Sequence, residues 1–129
     1  MLVEAAVVFP LLIMLTVGIW TTARAWNIHN VLDHAAREGS RHGATVVPWD
    51  GGGAAQTVIS EELQASAVNS GSVQTCIYQG TGTDCGVGST TSDAKVIVGL
   101  MYPDYRLSFV FFSFTVDLRA AAISRWEGS

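Results

Sequence analysis

From Ala5 to Ala23 the chain carries 19 uncharged residues in succession, nine of them Val, Ile, Leu or Phe. As a helix such a run is about 28 Å long, close to the hydrocarbon thickness of a bilayer. The nine large apolar residues favour insertion by roughly 4 kcal/mol. That offsets the one carboxylate at the head of the run, Glu4. A soluble core helix of this length would show a polar face, and this run shows none. Beyond Arg24 the pattern changes without a breaker. Ala25, Ile28, Val31, Leu32, Ala35, Ala36 and Gly39 recur at the spacing of one helical face. Asp33 and Arg37, four apart, are placed to pair on its surface. The pattern predicts one continuous helix from about Leu2 to about His42, roughly 60 Å long. Residues 1–24 form its apolar half, suited to crossing a membrane. Residues 25–44 form its amphipathic half, suited to packing against a domain. Gly43 is expected to cap the helix, and Pro48 prevents its continuation. Pro10 removes one backbone hydrogen bond and is expected to bend the helix.

The remaining residues, 45–129, predict a small α+β head. The stretch 45–53 contains Gly51-Gly52-Gly53 and reads as a loop. Ala55, Val58, Ile59, Leu63 and Ala67 share one face of a short amphipathic helix over 54–68, which Asn69-Ser70-Gly71 ends. The period then shifts to two. Strands are expected at 73–79, 94–102 and 106–119, with a Gly-, Ser- and Thr-rich loop over 80–93. Pro103 marks a turn at Tyr102–Tyr105. In the third strand Leu107, Phe109 and Phe111 share one parity, and Phe112, Phe114, Val116 and Leu118 share the other. That reversal predicts a bulge or break between Phe111 and Phe112, or else a strand covered on both faces. The tail fits a last strand or a short helix.

Composition narrows the function. A formal net charge of −4 with scattered basic residues argues against nucleic-acid binding. A secretory signal peptide is a poor fit to the apolar run, which lacks a basic leader and an A-x-A site. A leader removed upstream is expected instead. With one Lys and two Cys close in sequence, the head suits an extracytoplasmic setting. There Cys76 and Cys85, which enclose eight residues, are expected to form a disulfide contributing roughly 2.5–3 kcal/mol in the chain-entropy model. A metal or redox pair is the alternative, but the spacing matches neither C-x-x-C nor a zinc knuckle.

Few other residues point to chemistry. His34, Glu38 and His42 recur every four residues, so they share one helical stripe that could hold a metal. A solvated or inter-subunit polar face is the simpler reading, and neither a metal nor a cofactor is expected. No H-E-x-x-H, G-x-S-x-G or phosphate-binding loop is present. The serines and threonines have no evident base, so no catalytic site and no enzyme activity are expected. Glu4 has two readings of equal standing. It either reaches back to lipid headgroups or pairs with a positive group on a neighbouring chain. Trp20 and Trp26 straddle the outer end of the apolar run, as interface anchors in a bilayer or as packing between helices in a filament.

Val3-Glu4-Ala5-Ala6, Phe9-Pro10 and Ala35-Ala36-Arg37-Glu38-Gly39-Ser40-Arg41 resemble the N-terminal region of TadE/TadF-like pilins. These are the pseudopilins of tight-adherence (Flp/Tad) pili, filaments similar to type IV pili. Ala122-Ile123-Ser124-Arg125-Trp126-Glu127 is similar to the family's usual ending. The resemblance covers roughly residues 1–44 and 116–127. It implies a type IV pilin-like fold, with a long helix packed on an antiparallel sheet head. It also implies cleavage by a prepilin peptidase and a wait in the inner membrane as a single-span precursor. Pilus machinery would then extract the chain into a surface filament used in adhesion, alone or with other pilins. Glu4, Phe9, Pro10, Trp20 and Trp26 are the residues expected to serve assembly. A membrane-anchored extracytoplasmic binding module, using the aromatic hairpin or the Gly-rich loop, is the competing expectation.

Overall fold

The computed structural model describes residues 2–46, 50–79 and 95–126. Helix α1 runs Leu2–Thr45 without interruption, with Pro10 inside it. Helix α2 spans Gly53–Ala65, and a 3-10 turn covers Ser70–Ser72. Strands β1 (Gln74–Gln79), β2 (Lys95–Ser108) and β3 (Ser113–Arg125) form one antiparallel sheet in the order β1-β2-β3. This is the α+β class expected from the sequence: a long apolar helix and a small antiparallel sheet.

The outer half of α1 is the spine of the head. Leu32, Ala35, Ala36 and Ala44 are buried in one cluster with Ile59 and Leu63 of α2 and with Val96, Val98, Leu100 and Ala120 of the sheet. Small residues set how close the elements come. A Cβ on Gly39 would lie 2.5 Å from Cγ1 of Ile59, itself buried. The Gly39 position therefore lets α2 lie directly on α1. At the next residue, Ser40 Oγ meets Ser124 Oγ of β3 at 2.8 Å. Gly43 does not cap the helix as expected: it stays helical and buried, continuing the same small-residue stripe. Gly39→Val should cost about 2 kcal/mol through overpacking against Ile59. Denaturant unfolding checks this, and an unchanged midpoint would mean that α2 is free to shift.

Helix α2 runs antiparallel to α1, with Ile59 beside Gly39 and Glu62 beside His34. Gly51 and Gly52 take left-handed φ of 76° and 91° before it. A Cβ at Gly52 would also meet Ile77 Cγ2 at 2.7 Å, so this position needs glycine twice over. Asp50 supplies the cap: its Oδ2 accepts from Ala54 N at 2.6 Å and its Oδ1 from Gly52 N at 2.9 Å. These amides, that of Ala54 first, hold the Asp50 carboxyl below its ordinary value of 3.8. Its stabilisation is therefore present above the unfolded carboxylate's pKa and is lost as pH falls through the lower folded value. Asp50→Asn removes the charge and leaves one acceptor oxygen for the two amides of Gly52 and Ala54. Its thermal midpoint should lie below that of the unsubstituted protein near neutral pH, with the gap closing as both are acidified below about pH 4. A gap that does not depend on pH would remove the charged cap from the explanation.

The helix α2 stops at Ala65, earlier than the expected 68. Ala67 adopts φ 56°, its N–H donates to Gln64 O at 3.0 Å, and Val68 N donates to Leu63 O at 2.9 Å. This is a Schellman arrangement, with alanine where glycine is usual. Asn69 caps the 3-10 turn instead, its Oδ1 accepting from Gly71 N.

The β2–β3 hairpin departs from the expected strands 94–102 and 106–119. Residues Tyr102–Tyr105 do not reverse the chain. They form a bulge in which Pro103 and Asp104 stand opposite Asp117, between the pairs Tyr102↔Leu118 and Tyr105↔Val116. Asp104 takes φ 53° and its N–H donates to Asp117 Oδ1 at 3.1 Å. The reversal lies at Val110–Phe111, between the pair Ser108↔Ser113, with Phe109 N donating to Phe112 O at 2.8 Å. The parity change between Phe111 and Phe112 is thus the turn itself. The bulge has its own consequence. Before it the even residues Val96, Val98, Leu100 and Tyr102 face the helices, and after it the odd residues Tyr105, Leu107 and Phe109 are the less exposed ones. One extra residue keeps the apolar side on the helix face over the length of a 14-residue strand.

Candidate membrane and assembly surface

The inner half of α1 projects from the head. It is long and apolar enough to cross a membrane, and none of its most apolar stretch is buried against the rest of the chain. Val3, Val7, Phe9, Leu11, Leu15, Ile19 and Trp20 all lie more than half exposed. Its polar atoms are hidden internally. Thr16 Oγ1 bonds the carbonyls of Leu12 and Ile13, Thr21 Oγ1 that of Val17, and Thr22 Oγ1 that of Gly18, all at 2.9–3.0 Å. A hydroxyl bonded one turn back presents only its methyl side outward, which suits an apolar surrounding.

The expected assembly residues sit on this surface. Phe9, Trp20 and Trp26 are exposed, Pro10 is inside the uninterrupted helix, and Glu4 is exposed in its first turn. Among the described residues Glu4 forms no ion pair. A carboxylate in the first turn is favoured by the helix dipole.

The polar stripe is not gathered into a site. His34 Nδ1 stands 3.7 Å from Glu62 Oε2 of α2, while His42 is exposed in the last turn. Among the described residues no three His, Cys, Asp or Glu side chains come together as a metal would require. Arg37 pairs with Asp33 at 3.0 Å across one turn. Cys76 stands on β1 opposite Gly99 of β2, and among the described residues no cysteine is free. Cys85 and the Gly-rich loop lie outside the described residues.

The sequence did not reveal one contact. Phe109, at the β2–β3 turn, reaches the apolar half of α1. A Cβ on Gly18 would lie 3.5 Å from its ring. Leu15, Gly18, Ile19, Thr22 and Trp26 line an open apolar groove of about 650 Å³ that Phe109 closes on one side. Phe109 stacks on Phe112 at 4.9 Å and on Phe114 at 5.7 Å between ring centroids. A glycine within an apolar run, followed far downstream by an aromatic turn, is the only trace of this contact in the sequence.

Residues 1–41 match the family model described as TadE-like protein. That stretch, about the N-terminal third of the chain, is similar to TadE-like proteins. The matched stretch holds the apolar helix together with Ala35, Ala36, Gly39 and Ser40, the small residues on which the head packs. The match does not extend to residues 116–127, where the ending was also expected to correspond. No curated protein and no solved structure matches the chain.

Proposed function

We propose that this chain is a structural pilin subunit that polymerises through α1 into a tight-adherence, type IV-like surface filament used in adhesion. One observation carries the reading. A single uninterrupted helix joins an unburied apolar half to the half that holds the head. Such a helix can exchange lipid for neighbouring copies of itself without refolding the head. The precursor waits in the inner membrane as a single-span protein, a prepilin peptidase trims it, and assembly machinery moves it outward. Shaft and minor-subunit roles both fit. In the extracellular head, Cys76 pairs with Cys85 and staples the Gly-rich loop.

The test is electron microscopy of material sheared from producing cells, with mass spectrometry of the same fraction. Filaments composed chiefly of this chain support a shaft subunit, and trace incorporation supports a minor one. Absence of the chain from filaments, with all of it in the membrane, would overturn the reading in favour of an anchored binding module. Glu4→Ala separates the two roles of that carboxylate. Paired between subunits, its loss leaves membrane insertion intact and strongly reduces filaments. Unchanged filament yield would assign Glu4 to headgroup contact alone.

A further inference from the structure

The β2–β3 turn is built from residues that a turn facing water avoids. Phe109, Val110, Phe111 and Phe112 follow one another, with no Gly, Asn, Asp, Ser or Pro among them. Val110 is 48 %, Phe111 78 % and Phe112 52 % exposed. A contiguous exposed apolar patch marks a contact surface, and its position identifies the contact. The Phe109 ring is held against Gly18, which lies within the uncharged run, about 8 Å below its outer end at Ala23. The turn therefore stands beside the helix at the depth of the helix's own apolar side chains.

The charges above it agree. Arg24 lies about 9 Å above Gly18 along the helix. Arg106 lies about 10 Å above Phe109 along β2. Both are exposed, and Arg106 Nη2 also donates to Ser113 Oγ at 3.3 Å. Arg24 and Arg106, on different elements, thus both lie on the head side of the apolar tip, Arg24 between the levels of Trp20 and Trp26. That order of apolar tip, then arginine, with tryptophans to either side, is the layering of a bilayer interface.

We infer that, while α1 spans a bilayer, the Phe109–Phe112 turn inserts into the outer leaflet beside it, with Arg24 and Arg106 at the level of the lipid phosphates. The occupant of the patch is phospholipid, because the depth of the turn is fixed by its contact with the spanning helix. The head is then held at two points and cannot swing about the helix before assembly. This inference rests on the membrane-inserted precursor proposed above.

The test places p-benzoylphenylalanine singly at Val8, Tyr78 or Phe111 in the full chain. Each protein is reconstituted in phosphatidylcholine and phosphatidylglycerol vesicles that contain an alkyne-tagged phosphatidylcholine, then irradiated. Lipid adducts are expected at positions 8 and 111 and not at position 78, which lies on β1 away from the turn. Adducts at 8 with none at 111, or crosslinks from 111 to a second copy of the chain instead of lipid, would overturn the inference and leave the span intact. Equal adducts at 78 and 111 would also overturn it, since the turn would then hold no special place. No adduct at 8 would overturn the membrane-inserted precursor itself, and the inserted turn with it.

Discussion

Leu32→Ala should lower the unfolding free energy by about 3 kcal/mol, and the thermal midpoint by roughly 10–20 °C for a head of this size. Leu32 is wholly buried at the centre of the cluster that joins α1, α2 and the sheet. Its neighbours are held by backbone ladders on one side and by the close contact at Gly39 on the other, so the cavity left behind cannot collapse. The fitting comparison is Leu12→Ala, the same change on the same helix. Leu12 is 51 % exposed and touches no part of the head's core. Its loss should change unfolding of the head by no more than about 0.5 kcal/mol. Thermal unfolding of the full chain in detergent, followed by near-ultraviolet circular dichroism, measures both. A cost at Leu32 as small as that at Leu12 would mean that the head folds without the outer half of α1.

That contrast follows from the spacing of apolar residues along α1, which is why so much of the fold was legible. A run of 19 uncharged residues leaves little besides an apolar helix, and the period of residues 25–39 selects the face on which the head sits. The hairpin was harder: the parity change at Phe111 and Phe112 marked a break there, but the turn chemistry of the residues misled. Pro103 carries turn chemistry, yet it sits at a bulge, where its missing N–H breaks no pairing. Val110 and Phe111 carry none, yet the chain reverses there. Turn preferences describe chains that turn in water. A turn that meets Gly18 of an apolar helix is under the opposite pressure, and nothing in residues 102–112 alone shows that Gly18 is near. The end of α2 was hidden in the same way, since Ala67 takes a conformation that its side chain does not advertise. Of the candidate surface, the exposed Phe9 and Trp20 could be read from the apolar run, and Trp26 from its place just beyond it. The contribution of the aromatic turn could not, because it depends on packing between residues about ninety positions apart.

Leu12→Arg should remove the protein from the membrane and from filaments while leaving the head folded. The apolar run favours insertion by roughly 4 kcal/mol, and an arginine near its centre costs about 2.5–3.5 kcal/mol before the lost leucine is counted. Nearly all of the driving force disappears, equivalent to a fall in membrane partitioning of about a hundredfold or more. Long side chains escape this cost near a helix end by reaching the interface, which Arg24 can do and a residue at position 12 cannot. In a filament the penalty recurs at every subunit, because each copy would place its guanidinium against the apolar helices of its neighbours with no carboxylate at the same depth. The nearest one on its own helix is Glu4, about 12 Å away along the axis. Carbonate extraction of membranes and the yield of sheared filaments read the two losses separately. The folded head, checked by its unchanged thermal midpoint, keeps a failure of assembly distinct from a failure of folding. Filaments at normal yield from Leu12→Arg would mean that this face of α1 remains in water after assembly, and the exposed apolar half would then need another explanation.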